Sequence, residues 1–118
     1  MTINYRFKNF NPVEKNLFKN YFETKLTKLE QLTERFSDDA AKLQINAEKF
    51  ATKEAYKVTF KLNLPKDRLM ASEDDHTIYE AIDLALDKLI VQLRKVSRSN
   101  KKKKGMGRMR RRGMKRIA

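Results

Sequence analysis

The 118-residue sequence contains no cysteine, one histidine and 3 glycines, and it has no long apolar run. Without cysteine, neither a disulfide framework nor a cysteine-ligated metal site can form. The longest purely aliphatic run is Leu89–Val91, which is far too short for a membrane span or the core of a signal peptide. These absences predict a cytoplasmic protein that does not enter a membrane.

Residues that could support catalysis are also scarce. The single histidine, His76, follows Glu73, Asp74 and Asp75, and we interpret it as an exposed polar residue. We assign the three carboxylates to an acidic helix N-terminus rather than to a metal site. Gly105 and Gly107 lack the further glycine and the strand–helix context of a dinucleotide loop, and no Walker pattern occurs. The sequence therefore predicts a protein that is not an enzyme, with no cofactor, bound metal or small-molecule substrate.

Positive charge is concentrated at the C-terminus. The formal net charge is +13, and residues 94–118 hold 13 Lys or Arg without any Asp or Glu, whereas residues 1–93 hold 15 of each sign. We therefore predict an ordered domain over 1–98 and a basic extension over 99–118 that is disordered when free. An extension of this charge favours a nucleic-acid partner, because phosphates release counterions when lysine and arginine neutralise them.

Hydrophobic periodicity predicts an α+β fold. Apolar residues alternate in four segments and recur every three to four residues in two longer ones, giving the order β-α-β-β-β-α. This order favours a two-layer sandwich with both helices on one face of a four-stranded, largely antiparallel sheet. The other sheet face should be polar, and the strand aromatics should belong to the core. The predicted elements are strand Thr2–Lys8, a helix from Asn11 to about Phe36, strands Leu43–Ala47, Tyr56–Leu64 and Arg68–Ser72, and helix Asp75–Val96.

Both predicted helices carry basic residues toward their C-terminal halves. Lys25 interrupts the apolar stripe of the first helix, with Lys28 at the edge of that stripe, while Lys88, Gln92 and Lys95 recur at i, i+4 and i+7 on the second. Lys25 either extends its ammonium group from the edge of the core to solvent or offers it to a ligand beyond the core. If the helices run side by side in similar directions, their basic ends form one patch.

Two segments resemble a known family. KLTKLEQ (Lys25–Gln31) and IYEAIDLALDKLIVQLRK (Ile78–Lys95) resemble the ribosome hibernation promoting factor family, also called ribosome-associated inhibitor A or sigma-54 modulation protein. The resemblance extends over roughly residues 1–98. It implies a fold like that of a double-stranded-RNA-binding domain. It also implies binding to the small ribosomal subunit between head and body, over the tRNA and mRNA sites, so that translation is blocked in idle ribosomes.

The resemblance also implies which residues contact ribosomal RNA. The family's basic helix positions match residues on both helices of this chain, and we expect the basic extension to add contacts by tethering. Long members continue into a second domain that pairs ribosomes, for which this chain has no room, and we expect a monomer away from the ribosome. The predicted rRNA-binding residues are Lys25, Lys28, Lys88, Gln92, Arg94, Lys95, Arg98, Lys101, Lys102, Arg108, Arg110 and Arg111.

Three other functions remain open at this point. The main alternative is a general RNA-binding or RNA-chaperone module in which the cationic extension provides most of the affinity for any RNA. A structural ribosomal protein would share the basic extension, and a small enzyme of nucleic-acid metabolism would require His76 or a carboxylate. Whether the protein promotes ribosome pairing stays open.

Overall fold

The computed structural model describes residues 1–36 and 39–105, of which 97–105 are described by their helical backbone alone. The predicted element order and fold class are confirmed. The elements are β1 (Thr2–Lys8), α1 (Pro12–Thr33), β2 (Lys42–Lys49), β3 (Tyr56–Asn63), β4 (Arg68–Asp75) and α2 (Ile78–Gly105).

The four strands form one sheet in the order β1-β2-β3-β4. β1 and β2 are parallel because α1 connects them as a crossover, whereas β2, β3 and β4 pair antiparallel. In register, Tyr5 lies beside Ile45, Ile45 beside Phe60, and Phe60 beside Ala71. Residues opposite each other point to the same face, so this row crosses the sheet on its buried side.

The core lies between that side of the sheet and the two helices. Phe18 and Phe22 of α1 are fully buried and meet the ring of Tyr5 edge-on, with ring centroids 6.3 Å apart in both cases. α2 packs on β3 and β4 and also contacts α1. The predicted core assignment of the strand aromatics is therefore confirmed. The largest fully buried side chains are Phe18, Phe22, Leu29, Leu43, Ile45, Val58, Phe60, Leu62, Ile82, Leu89 and Leu93.

The N-terminus of α1 is fastened to the sheet through Glu14. The predicted cap is present: the Asn11 side chain accepts from the Glu14 amide at 2.8 Å, Glu14 accepts from the Asn11 amide at 3.0 Å, and Pro12 follows the cap. The second Glu14 oxygen accepts a 2.6 Å hydrogen bond from the Tyr56 hydroxyl and lies 3.4 Å from Lys49 Nζ. One carboxylate therefore joins α1, β2 and β3.

The C-terminal end of α1 comes earlier than predicted. The helix ends at Thr33, whose hydroxyl donates to the Leu29 carbonyl at 2.9 Å, and a turn closed by a 2.9 Å bond from the Phe36 amide to the Thr33 carbonyl follows. Phe36 still packs against the core. The turn therefore keeps Phe36 at the spacing of the apolar stripe. For this reason the hydrophobic periodicity predicted a helix that is too long.

β4 is longer than predicted, and this changes the role of three acidic residues. Glu73, Asp74 and Asp75 belong to β4 rather than to the helix N-terminus, so our interpretation of them as dipole-stabilising residues is wrong. Their register partners in β3 are Lys57 and two residues of good strand propensity. These pairs extend the β3–β4 ladder through the three acidic positions. α2 begins at Ile78 after Thr77, whose hydroxyl accepts from the Glu80 amide at 3.1 Å.

α2 also continues past the predicted domain boundary. Its backbone is helical to Gly105, seven residues beyond residue 98, and so includes the first seven residues of the predicted extension. The remainder of that extension, residues 106–118, lies outside the described residues. The division of the chain between 98 and 99 stays a prediction.

Candidate nucleic-acid interface

The two long flanks of α2 carry different residues. Helical spacing places Asp83, Asp87 and Arg94 on the flank that faces α1. Lys88 and Gln92 lie on the other flank, against β4. α1 and α2 run side by side in the same direction, as the contacts from Tyr21 to Asp83 and the shared groove farther along both helices indicate.

The flank toward β4 holds two predicted RNA-binding residues in contacts within the protein. Lys88 forms an ion pair with Glu73 of β4, and its side chain remains 57% exposed. The Gln92 side-chain amide donates a 2.8 Å hydrogen bond to the Met70 carbonyl. β4 is an edge strand, whose outward carbonyls have no neighbouring strand to pair with. Gln92 therefore fastens α2 to the sheet edge, while the exposed Lys88 ammonium stays accessible to an anion.

The flank toward α1 borders a groove of about 570 Å³ between the helices. Lys25 and Lys28 lie on its α1 side, and both are exposed. Lys25 Nζ lies 3.9 Å from an Asp83 oxygen and 5.3 Å from the centre of the Tyr21 ring. The groove is lined by Thr24, Lys25, Thr27, Lys28, Gln31, Asp83, Leu86, Asp87 and Ile90.

Asp83 connects the two helices at the start of the groove. The Tyr21 hydroxyl lies 2.8 and 2.9 Å from its two carboxylate oxygens and donates to them, and the Tyr21 ring meets Tyr79 at 4.6 Å between centroids. Burial and this hydrogen bond raise the pKa of Tyr21 above its usual value. Tyr79 and Asp83 both belong to the segment that carries the family resemblance, and here they position α2 against α1.

The ion pair between Lys25 and Asp83 does not prevent Lys25 from binding a phosphate. Both side chains are 43% exposed and their charged atoms are 3.9 Å apart, and pairs of this kind contribute about 0–1 kcal/mol. Asp83 keeps its hydrogen bond from Tyr21 if the lysine turns away. Lys25 can therefore exchange its partner for a phosphate oxygen at little cost in stability.

The predicted basic residues form two groups rather than one patch. Lys25 and Lys28 lie in the groove between the helices, and Lys88 lies across α2 against β4. Arg94 and Lys95 are exposed toward the C-terminal end of α2 and carry no ion pair within the described part of the chain. Arg98, Lys101 and Lys102 lie on its helical backbone, whereas Arg108, Arg110 and Arg111 lie outside the described residues.

The sequence shows acidic residues among the basic ones of the helices, but it did not indicate that two of them line the groove. Asp83 and Asp87 line the same groove as Lys25 and Lys28 and reduce its positive potential. Their spacing of four residues was the available signal, because it places both carboxylates on one flank of α2. Which neighbour that flank faces depends on helix packing, which the spacing does not specify.

Residues 1–36 and 39–105 contain neither a candidate metal site nor a candidate membrane span. In that part of the chain no three His, Cys, Asp or Glu residues are grouped so that they could hold a metal ion. None of its helices combines the length and apolar character that crossing a membrane requires.

Comparison with known proteins identifies the family. Among solved structures, the Thermus thermophilus Protein Y N-terminal domain aligns with a TM-score of 0.62 and 22% identity, covering 81% of this chain and 99% of that domain. A ribosomal subunit interface protein from Coxiella burnetii aligns with a TM-score of 0.55 and 20% identity, covering 82% and 98% respectively. These likenesses establish the shared fold.

Comparison with curated proteins gives no match. Residues 3–101 match the family described as sigma 54 modulation protein / S30EA ribosomal protein, which confirms the resemblance found in the two helical segments. The chain therefore belongs to the sigma 54 modulation protein / S30EA ribosomal protein family of ribosome-associated factors.

Proposed function

We propose that this protein binds the ribosomal RNA of the small subunit over the tRNA and mRNA sites and inhibits translation in idle ribosomes. The observation that carries the proposal is the family match over residues 3–101, which includes part or all of every element of the fold and leaves out only Thr2 of β1 and the last four residues of α2. The protein acts by occupying the site, without a catalytic step or cofactor, in the cytoplasm and as a monomer away from the ribosome.

The groove between the helices supplies the first RNA contact. Lys28 is exposed and has no ion pair within the described part of the chain. Lys25 exchanges its weak ion pair with Asp83 for a phosphate oxygen. Lys88, Arg94 and Lys95 extend the positive surface along α2. Each lysine that neutralises a phosphate makes binding more sensitive to salt. For each such contact, log K falls by about 0.7–0.9 per decade of salt, because the phosphate releases counterions on binding.

The basic residues from Arg98 onward add affinity by tethering. Once the groove is bound, the effective concentration of a linked segment near neighbouring phosphates is high, so that weak contacts become significant. Gln92 also holds α2 in position, because its amide donates to the Met70 carbonyl; its contact with RNA stays a prediction.

A pair of matched variants tests the groove. Lys28→Gln removes an exposed cation and Asp87→Asn removes an exposed anion from the same groove. Co-sedimentation with purified small subunits should show weaker binding and a salt slope smaller by about 0.7–0.9 for Lys28→Gln. Asp87→Asn should bind more tightly than wild type. Lys66→Gln in the β3–β4 turn is the control for the loss of one positive charge away from the groove.

The main competing function is a general RNA-binding module driven by the extension. It is favoured by the 13 basic and no acidic residues of 94–118. Deleting 106–118 leaves the described helix intact and separates the two functions. Retained preference for the small subunit over free duplex RNA supports our proposal, whereas loss of nearly all binding, with Lys28→Gln without effect in the full chain, supports the alternative.

A further inference from the structure

The sheet face opposite the helices has a distinct charge pattern. Residues that point away from the core form four rows across the sheet, and we call these sixteen positions the open face. The rows are Thr2–Lys42–Asn63–Arg68, Asn4–Gln44–Lys61–Met70, Arg6–Asn46–Thr59–Ser72 and Lys8–Glu48–Lys57–Asp74. With strands about 4.8 Å apart and about 3.3 Å per residue, they cover roughly 14 by 20 Å.

Positive charge is segregated onto the open face. It holds six basic and two acidic residues, whereas the rest of residues 1–93 holds nine basic and thirteen acidic ones. The ordered domain is therefore neutral as a whole but has an excess of four positive charges on one side. A solvated sheet face needs polar residues, but solvation alone does not require that they share one sign. The basic residues are Arg6, Lys8, Lys42, Lys57, Lys61 and Arg68.

Each of the two acidic residues of the open face lies beside a basic residue of the same face. Lys8 Nζ lies 3.7 Å from Glu48, and Asp74 is the register partner of Lys57. The four other cations, on four different strands, are exposed and carry no ion pair within the described part of the chain. They are Arg6, Lys42, Lys61 and Arg68.

The remaining residues of the open face indicate what kind of anion it suits. Between the cations lie amide and hydroxyl groups, among them Gln44, which donates to Asn46 at 3.0 Å, and Thr59, which lies 2.9 Å from Ser72. The open face has no aromatic ring, so it cannot stack unpaired bases. Dispersed cations with hydrogen-bonding side chains between them suit a phosphate backbone, which they contact without reading base sequence.

We infer that the open face is a second phosphate-backbone surface, so that the bound domain lies between two RNA segments, one on its helical side and one on its sheet side. This inference rests on the proposed function, since it concerns the same RNA partner. The two surfaces are separated by the thickness of the sheet and of a helix layer that is about 10–12 Å across. One continuous RNA helix cannot contact both, so two segments are required.

The absence of cysteine makes a direct test possible. Lys28→Cys and Lys61→Cys each introduce the only thiol of the chain, one in the groove and one on the open face. Each variant of the full chain is labelled with a thiol-reactive photo-crosslinker and irradiated with purified small subunits. The inference expects both variants to crosslink to RNA, at different nucleotides. Lys66→Cys, in the exposed β3–β4 turn, is the control for nonspecific crosslinking.

The outcomes distinguish this inference from the proposed function. RNA crosslinks from Lys28→Cys alone would overturn the second surface and leave the proposed function standing. Crosslinks from Lys61→Cys to a ribosomal protein only would assign the open face to an acidic protein surface and also overturn the inference. If neither variant crosslinks above the control, both proposals fail.

Salt dependence provides an independent measure. Arg6→Gln/Lys61→Gln removes two exposed cations from different strands, and it should reduce the salt slope of small-subunit binding by about 1.4–1.8. Lys15→Gln/Lys66→Gln removes the same charge from exposed positions outside both surfaces. Circular dichroism melting verifies that both variants fold. An equal effect of the two double variants would mean that the open-face cations act only through the net charge of the protein. That result would overturn the inference.

Discussion

The hydrogen bond between Tyr56 and Glu14 should contribute stability that is lost at alkaline pH. The bond is 2.6 Å long and fastens the N-terminus of α1 to β3. It is the main cause that raises the pKa of Tyr56 to about 12 and lowers the pKa of Glu14. Tyr56→Phe removes the hydroxyl while keeping the ring, which contacts Phe10 with 5.6 Å between centroids.

The raised pKa of Tyr56 gives an upper limit for the change in the free energy of unfolding that Tyr56→Phe causes. A rise of the Tyr56 pKa from 10.0 to about 12 corresponds to at most about 2.7 kcal/mol, because each pKa unit is about 1.36 kcal/mol. Hydrogen bonds to charged groups contribute about 1.5–3 kcal/mol, and Tyr56 is only half-buried. We therefore expect Tyr56→Phe to lower the free energy of unfolding at pH 7 by about 1–2 kcal/mol, with a fall in Tm of about 5–10 °C.

The direction of the pH dependence follows from the raised pKa. Above pH 10 the tyrosine ionises in the unfolded chain but stays protonated in the folded protein until about pH 12. Its contribution is therefore complete below pH 10 and is lost as the pH rises from 10 to 12. Tyr56→Phe lacks this contribution, so the stability difference between the two proteins should shrink over that interval.

Urea unfolding followed by circular dichroism at several pH values between 7 and 11.5 measures the difference directly. Tyr79→Phe is the matched control, since the Tyr79 hydroxyl has no hydrogen bond within the described part of the chain, and it should stay within about 0.5 kcal/mol of wild type. A difference for Tyr56→Phe that stays constant between pH 8 and 11.5 would refute the reasoning.

Three further predictions concern acid stability, backbone strain and the core. Because the pKa of Glu14 is lowered, the stability it contributes is present above its usual value of 4.5 and lost as the pH falls below it, so Glu14→Gln should flatten the acid unfolding profile. Asn9 has φ of 62° and donates to the Lys49 carbonyl at 3.1 Å, so Asn9→Ala should destabilise by about 1–2 kcal/mol in urea unfolding, more than Asn9→Gly does. Leu89→Ala removes a fully buried side chain and should cost about 2–5 kcal/mol, whereas Leu84→Ala, at a position 43% exposed, should cost under about 1 kcal/mol in the same assay.

Much of the fold was predictable from local patterns. Alternation in Thr2–Lys8 and the cap from Asn11 to Glu14 depend on neighbours within a few residues, and the structure has both. The family was recognisable from the segment that contains Tyr79 and Asp83, and in the structure these two residues contact α1. The basic residues of the candidate site could be identified one at a time from the sequence, because each belongs to a single helix.

The arrangement of those residues was decided by packing between elements distant in sequence. A hydrogen bond between α1 and α2 joins Tyr21 and Asp83 across 62 residues, and the packing of α2 on α1, β3 and β4 turns one of its flanks to the groove and the other to β4. Lys25 and Lys88 are separated as a result. Alternation within single strands already puts cations on the face away from the core, and strand register brings those of four strands together as the open face. Charge and periodicity belong to individual segments of the chain, whereas the potential that an RNA encounters is the sum over neighbours that only the tertiary structure brings together.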